Sequence, residues 1–147
     1  MPGRFERFTV LISEIARRIH RIKTAEMEEF GLRGSHVSCL YYLARFGPMS
    51  AGELCERSGE DKANVSRTVA ELRKKGMLTY SETGKRYQSP LELTDAGRDV
   101  GERVAQKADD VLARVGGRLS EEDRAALYRG LTVVLDDLEK ICEGYPS

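Results

Sequence analysis

The chain has 147 residues, 40% of them apolar and 33% charged, with a formal net charge of zero. That length predicts one soluble domain with a core large enough to need no disulfide or metal to fold. The composition describes a soluble, charge-rich helical protein, no apolar run approaches a membrane span, and three cysteines without a CxxC pair predict a reduced, cytoplasmic protein rather than a disulfide framework.

The first predicted element is a long helix from Arg4 to about Glu29. Phe8, Leu11, Ile12, Ile15, Ile19 and Ile22 recur on it at three- and four-residue steps. Glu14 interrupts the apolar part, so the start reads as no secretory signal. Phe30-Gly31-Leu32-Arg33-Gly34 breaks this helix. Ser35 is expected to cap the next, which runs to about Phe46 with Val37, Leu40, Tyr41 and Leu43 or Ala44 inward, and Gly47-Pro48 stops it.

Ser50, with Glu53 three residues on, carries a capping-box pattern before Ala51, Leu54 and Cys55. Gly59 supplies a turn residue. Asp61 caps a second short helix with Val65, Val69 and Leu72 on its inner face, and Arg73, Lys74 and Lys75 place cations at its negative end before Gly76. Helix, glycine turn, and a helix with a cationic outer face form the helix-turn-helix pattern of DNA readers. Leu78 to Tyr80 and Leu91 to Leu93 predict the two strands of a hairpin with the basic tip Lys85-Arg86, and Pro90 suits its surface edge. Thr94-Asp95 caps a long helix to Val115 carrying Val100, Val104, Ala108, Val111 and Leu112. Gly116-Gly117 ends it, and Ser120 to Asp123 opens a last helix with Leu127, Leu131, Val134, Leu135, Leu138 and Ile141 on one face.

The charge is unevenly placed. Residues 57–86 carry eight Lys/Arg against four Asp/Glu, residues 1–23 six against two, and residues 120–147 three against seven. Such asymmetry presents a positive surface to DNA without a high isoelectric point. On the second short helix, Lys62, Asn64, Ser66, Arg67 and Thr68 are the candidate DNA contacts. Arg forks onto guanine and Asn onto adenine, while Lys and Ser more often meet phosphate. Lys85 and Arg86 are the candidate wing contacts, since Arg is drawn into a narrow A·T-rich minor groove.

A helix-turn-helix followed by a basic hairpin, with a long helix on each side, resembles the MarR family of bacterial transcription regulators. The residues that carry the resemblance are Val65-Ser66-Arg67, Lys74-Lys75-Gly76-Met77-Leu78, Arg86 and Leu93-Thr94-Asp95-Ala96-Gly97. Lys85 departs from the family pattern, which has Asp there. The fold class is therefore expected to be mainly α with a small β-hairpin. A winged helix-turn-helix at 35–94 and a connecting helix at 94–116 would lie between dimerisation helices at 1–33 and 117–147, all within one domain, 1–147. The resemblance implies that these terminal helices intertwine in a homodimer, with Phe8, Leu11, Ile12, Ile15, Leu127, Leu131, Val134, Leu135 and Leu138 at the interface. It also implies a repressor that reads a pseudo-palindromic double-stranded operator. A small aromatic or phenolic effector would be held by Arg17, His20, Arg33, His36, Tyr41 and Tyr42.

Other chemistries find less support. Cys39 and Cys55 fall on apolar faces, where a thiol is a small hydrophobe, and Cys142 is the one expected to be exposed. Thiol redox sensing needs an accessible, acidified thiolate. His36 and Cys39 are one helical turn apart, but no HxxxH or CxxC pair assigns a metal, and no cofactor is expected. No nucleophile–base pair or phosphate-cradling loop predicts an enzyme. The alternative from another class is a helical module whose winged helix docks protein.

Overall fold

The computed structural model describes residues 3–81 and 89–146. These form six α-helices and a two-stranded hairpin: α1 (Arg4–Met27), α2 (Val37–Phe46), α3 (Ala51–Ser58), α4 (Lys62–Lys74), β1 (Leu78–Tyr80), β2 (Leu91–Leu93), α5 (Asp95–Arg114) and α6 (Glu121–Glu143). The chain divides into two compact units, Met1–Asp109 and Asp110–Ser147.

Local chemistry sets most boundaries. Ser50, Asp61 and Ser120 each accept the backbone N–H three residues on, at 3.1, 2.7 and 3.0 Å, and so cap α3, α4 and α6. One boundary differs from expectation. Ser35 does not cap α2; it lies inside a 3₁₀ turn, Gly34–His36, that leads into the helix. His36, the last residue of that turn, reaches back to its N-cap, where Nδ1 accepts the Arg33 N–H at 2.9 Å.

The first unit holds the core. Leu40 of α2, Leu54 of α3, Leu72 of α4, Leu91 of β2 and Val104 of α5 are fully buried, so each inner face contributes to one centre. Each such side chain stabilises the fold by about 1.5–3 kcal/mol relative to exposure. β1 and β2 pair antiparallel, with Leu78 opposite Leu93 and Tyr80 opposite Leu91. Met49, just before α3, pairs with Leu91 from the other side through two backbone hydrogen bonds of 3.2 and 2.7 Å. The hairpin is thereby tied to the start of the helix-turn-helix.

α5 is stapled to two earlier helices. Arg45 of α2 bonds Glu102 and Asp109 at 3.0 Å each, and Tyr41 donates to Asp109 at 2.9 Å. Lys107 bridges Glu26 of α1 and Glu29 in the turn that follows it. The start of α5 packs closely on the end of α4. The Thr94 hydroxyl donates to the Gly76 carbonyl at 2.6 Å and accepts the Gly97 N–H at 3.1 Å, while the Thr94 N–H bonds the Met77 carbonyl at 3.0 Å. A methyl carbon on Gly97 would stand 1.9 Å from the Met77 oxygen, so only glycine admits this approach.

The long apolar stripes are largely uncovered. α1 buries only Met27, and Phe8, Leu11, Ile12 and Ile15 are exposed along it. In the second unit α6 buries no residue; Leu127, Leu131, Leu135 and Leu138 are exposed and Val134 is half-exposed. No helix among the described residues is long and apolar enough to cross a membrane.

Candidate nucleic-acid interface

The turn between α3 and α4 is built for a sharp reversal. Gly59 adopts φ 70°, which favours glycine, and the Ser58 hydroxyl accepts the Glu60 N–H at 3.2 Å. Asp61 then starts α4. Val65, Thr68, Val69 and Leu72 face inward, at most 5% exposed. Thr68 is thereby corrected. It lies three residues after Val65 and four before Leu72, which is the buried face of the same helix, so it packs rather than meeting DNA.

Lys62, Ser66 and Arg67 are exposed on the opposite face. Neither Lys62 nor Arg67 makes an ion pair among the described residues. Asn64 is half-buried, and its amide donates to Glu60 at 2.9 Å, so reading a base with it requires letting that carboxylate go. The cations at the end of α4 divide. Arg73 lies over the Tyr80 ring at 4.7 Å and Lys75 reaches the Gly31 carbonyl at 3.4 Å, so both partly serve the fold. Lys85 and Arg86 of the wing lie outside the described residues.

α4 is held from behind by a polar network that the sequence reading missed. Glu71 bonds the Arg33 guanidinium with one oxygen and His36 Nε2 with the other, the latter at 2.6 Å. His36 is 2% exposed. Its Nδ1 accepts the Arg33 N–H, so Nε2 carries the ring proton and donates to Glu71. The His36 bond first, and Arg33 second, hold the Glu71 carboxyl below its usual pKa. The available signal was one acid on an otherwise basic helix. Its partners are more than thirty residues away.

The residues expected to hold an effector separate into groups. Arg17, His20 and Arg33 line an open cleft of about 830 Å³, together with Asn64 and Arg67 of α4. His36 is not among them, being enclosed by its bonds to Glu71 and Arg33. Tyr41 and Tyr42 are corrected likewise: Tyr41 is committed to Asp109, and Tyr42 stacks on Phe46 at 5.8 Å between centroids. Tyr42 packs against the core, and neither ring lines the cleft. Burial pushes the Cys39 thiol up to about 12, which suits a packing role. No group of three metal-ligating side chains gathers among the described residues.

A capped helix, a glycine turn and a second helix with a basic outer face, tied to a two-stranded hairpin, define a winged helix-turn-helix protein. Comparison with known proteins agrees. A family model described as the MarR family matches residues 30–86. The HTH-type transcriptional regulator YwoH of Bacillus subtilis is 25% identical over 115 residues, spanning 78% of this chain and 84% of its own. Among solved structures, the MarR family regulator NMB1585 of Neisseria meningitidis superposes with a TM-score of 0.78 at 19% identity, over 94% of this chain and 95% of that one. The MepR–DNA complex of Staphylococcus aureus gives 0.78 at 18% identity, over 89% and 97%. The chain is thus similar to MarR family regulators in sequence over residues 30–86 and in fold over most of its length.

Proposed function

We propose that the chain is a cytoplasmic, sequence-specific DNA-binding repressor that acts as a homodimer on a pseudo-palindromic operator. The observation that carries this is α4 itself. Its inner face is fixed by Val65, Val69 and Leu72, and Lys62, Ser66 and Arg67 project from the other side without competing partners among the described residues. In this reading the two α4 helices of a dimer enter successive major grooves, with Arg67 forking onto a base and Lys62 and Ser66 on phosphates. The solved MepR–DNA complex, of like fold, supports the assignment. Dimerisation is supported by the exposed apolar stripes of α1 and α6, which are larger than isolated surface residues.

Effector control belongs to the same reading. An anion in the cleft would meet Arg17, His20 and Arg33, and would weaken DNA binding by binding the DNA-free form better.

The test is selection of bound duplexes from a random pool, followed by titration of the chosen site. A shared pseudo-palindrome and a steep loss of affinity with salt are expected. Arg67→Ala should weaken the selected site by about 1–3 kcal/mol and relax preference at one base position per half-site. Equal loss on random duplexes would assign Arg67 to phosphate instead. Salt-insensitive association with a protein, and no selected site, would favour the docking-module alternative.

A further inference from the structure

The cleft beside α4 has an unusual wall. Arg17, Arg21, Arg33 and Arg67 line it, and Glu28 is the one acid among its lining residues. Glu14 pairs with Arg17 at 2.8 Å and Glu71 holds Arg33, so each of these two guanidinium groups has one partner. Arg21 and Arg67 make no ion pair among the described residues. Four cations about one space repel one another, and the three carboxylates Glu14, Glu28 and Glu71 offset this only in part.

Thr24 and Ser35 add hydroxyl donors to the wall. Apart from the His20 imidazole, no ring lines it among the described residues. Tyr41 and Tyr42, which would have stacked on a flat ring, are held elsewhere.

From this lining we propose that the cleft takes a small, multiply charged oxyanion, rather than a flat aromatic acid, and that this anion excludes DNA by occupying Arg67. The proposal rests on the DNA-reading role given to α4 above. Guanidinium forks match phosphate and carboxylate oxygens bidentately, and Arg33 is oriented for this by its bond to Glu71. Because Arg67 lies both on the outer face of α4 and in the cleft wall, one side chain serves two anions in turn. The exclusion is reciprocal: DNA must weaken the small anion as much as the anion weakens DNA. Phosphate esters and polycarboxylates share the required chemistry.

The first experiment needs no DNA. Inorganic pyrophosphate, citrate and benzoate are titrated into the full chain by calorimetry, at constant ionic strength set with sodium chloride. Saturable binding of pyrophosphate or citrate at one site per chain is expected, with benzoate at least about tenfold weaker. Arg21→Ala and Arg33→Ala should each weaken the polyanion about tenfold, since each removes a charge-assisted contact. Arg21 bonds nothing else among the described residues, so its variant should melt like the parent. Arg118→Ala, a basic change outside the cleft, should leave binding as it was. No saturable binding, equal binding by all four proteins, or a preference for benzoate overturns the proposal without touching the DNA reading. In the second experiment, the bound polyanion should raise the apparent Kd of the selected duplex in the parent, and the rise should shrink in Arg21→Ala. An unchanged Kd at a saturating polyanion concentration overturns the exclusion through Arg67.

Discussion

Glu71 joins three residues that the sequence keeps far apart. Its carboxylate neutralises Arg33 and satisfies the proton of the buried His36, and both bonds hold its own pKa below the ordinary 4.5. The native state therefore binds this proton less tightly than the unfolded chain does. The stability Glu71 contributes is complete above the ordinary carboxylate value and is lost as pH falls through the lowered native value. Asp109, held down by Tyr41 and then Arg45, behaves alike below its ordinary 3.8. Thermal melts between pH 6 and pH 3 should show this as a fall in Tm on the acid side. Glu71→Gln and Asp109→Asn should each flatten that fall while lowering Tm near neutrality. An unaltered acid slope in both variants would mean that other carboxylates govern the acid limb. None of these partnerships was legible in the sequence. An acid on a basic helix is visible, but a partner 35 or 38 positions away is a property of the fold.

At the scale of elements, the joint between α4 and α5 leaves no room for a Cβ at Gly97. Gly97→Ala would force a methyl group against the Met77 carbonyl, where a real Cβ never sits. The cost should be about 3 kcal/mol or more, at the upper end for overpacking, because backbone rather than a flexible side chain must yield. Urea unfolding with an unchanged m-value is the measurement; a loss under about 1 kcal/mol would show that the α5 start can shift aside. The helices themselves were readable, because caps and apolar periods act over three or four residues: Ser50, Asp61 and Ser120 begin helices as their side chains predict. Thr68 was misread because period-3.6 faces blur at their edges. The Met49–Leu91 bridge was not readable at all, since two residues of pairing leave no alternation to detect.

For the whole molecule, the feature that weighs most is apolar surface left in water. Leu131 stands 41% exposed in the middle of the α6 stripe, and Ile15 is 55% exposed on α1. If a second copy covers these stripes, Leu131→Glu buries an unpaired carboxylate at a cost of several kcal/mol and the dimer dissociates. Sedimentation of parent and variant would read this directly. A parent that sediments as a monomer refutes the dimer, and a folded, dimeric variant moves the contact away from Leu131. Operator affinity should fall with the dimer even though α4 is intact, because two half-sites held by one unit gain from effective concentration.

The ties around the hairpin have a consequence for how this chain can diverge. The Ser81 N–H bonds the Pro90 carbonyl at 2.8 Å, the strands pair behind it, and Thr94 closes on Gly76 and Met77. The ends of the excursion between β1 and β2 are thus already fixed by the framework. Substitutions at Gly76, Thr94 or Gly97 therefore disturb the seat of α4, because they shift the backbone on which the start of α5 closes.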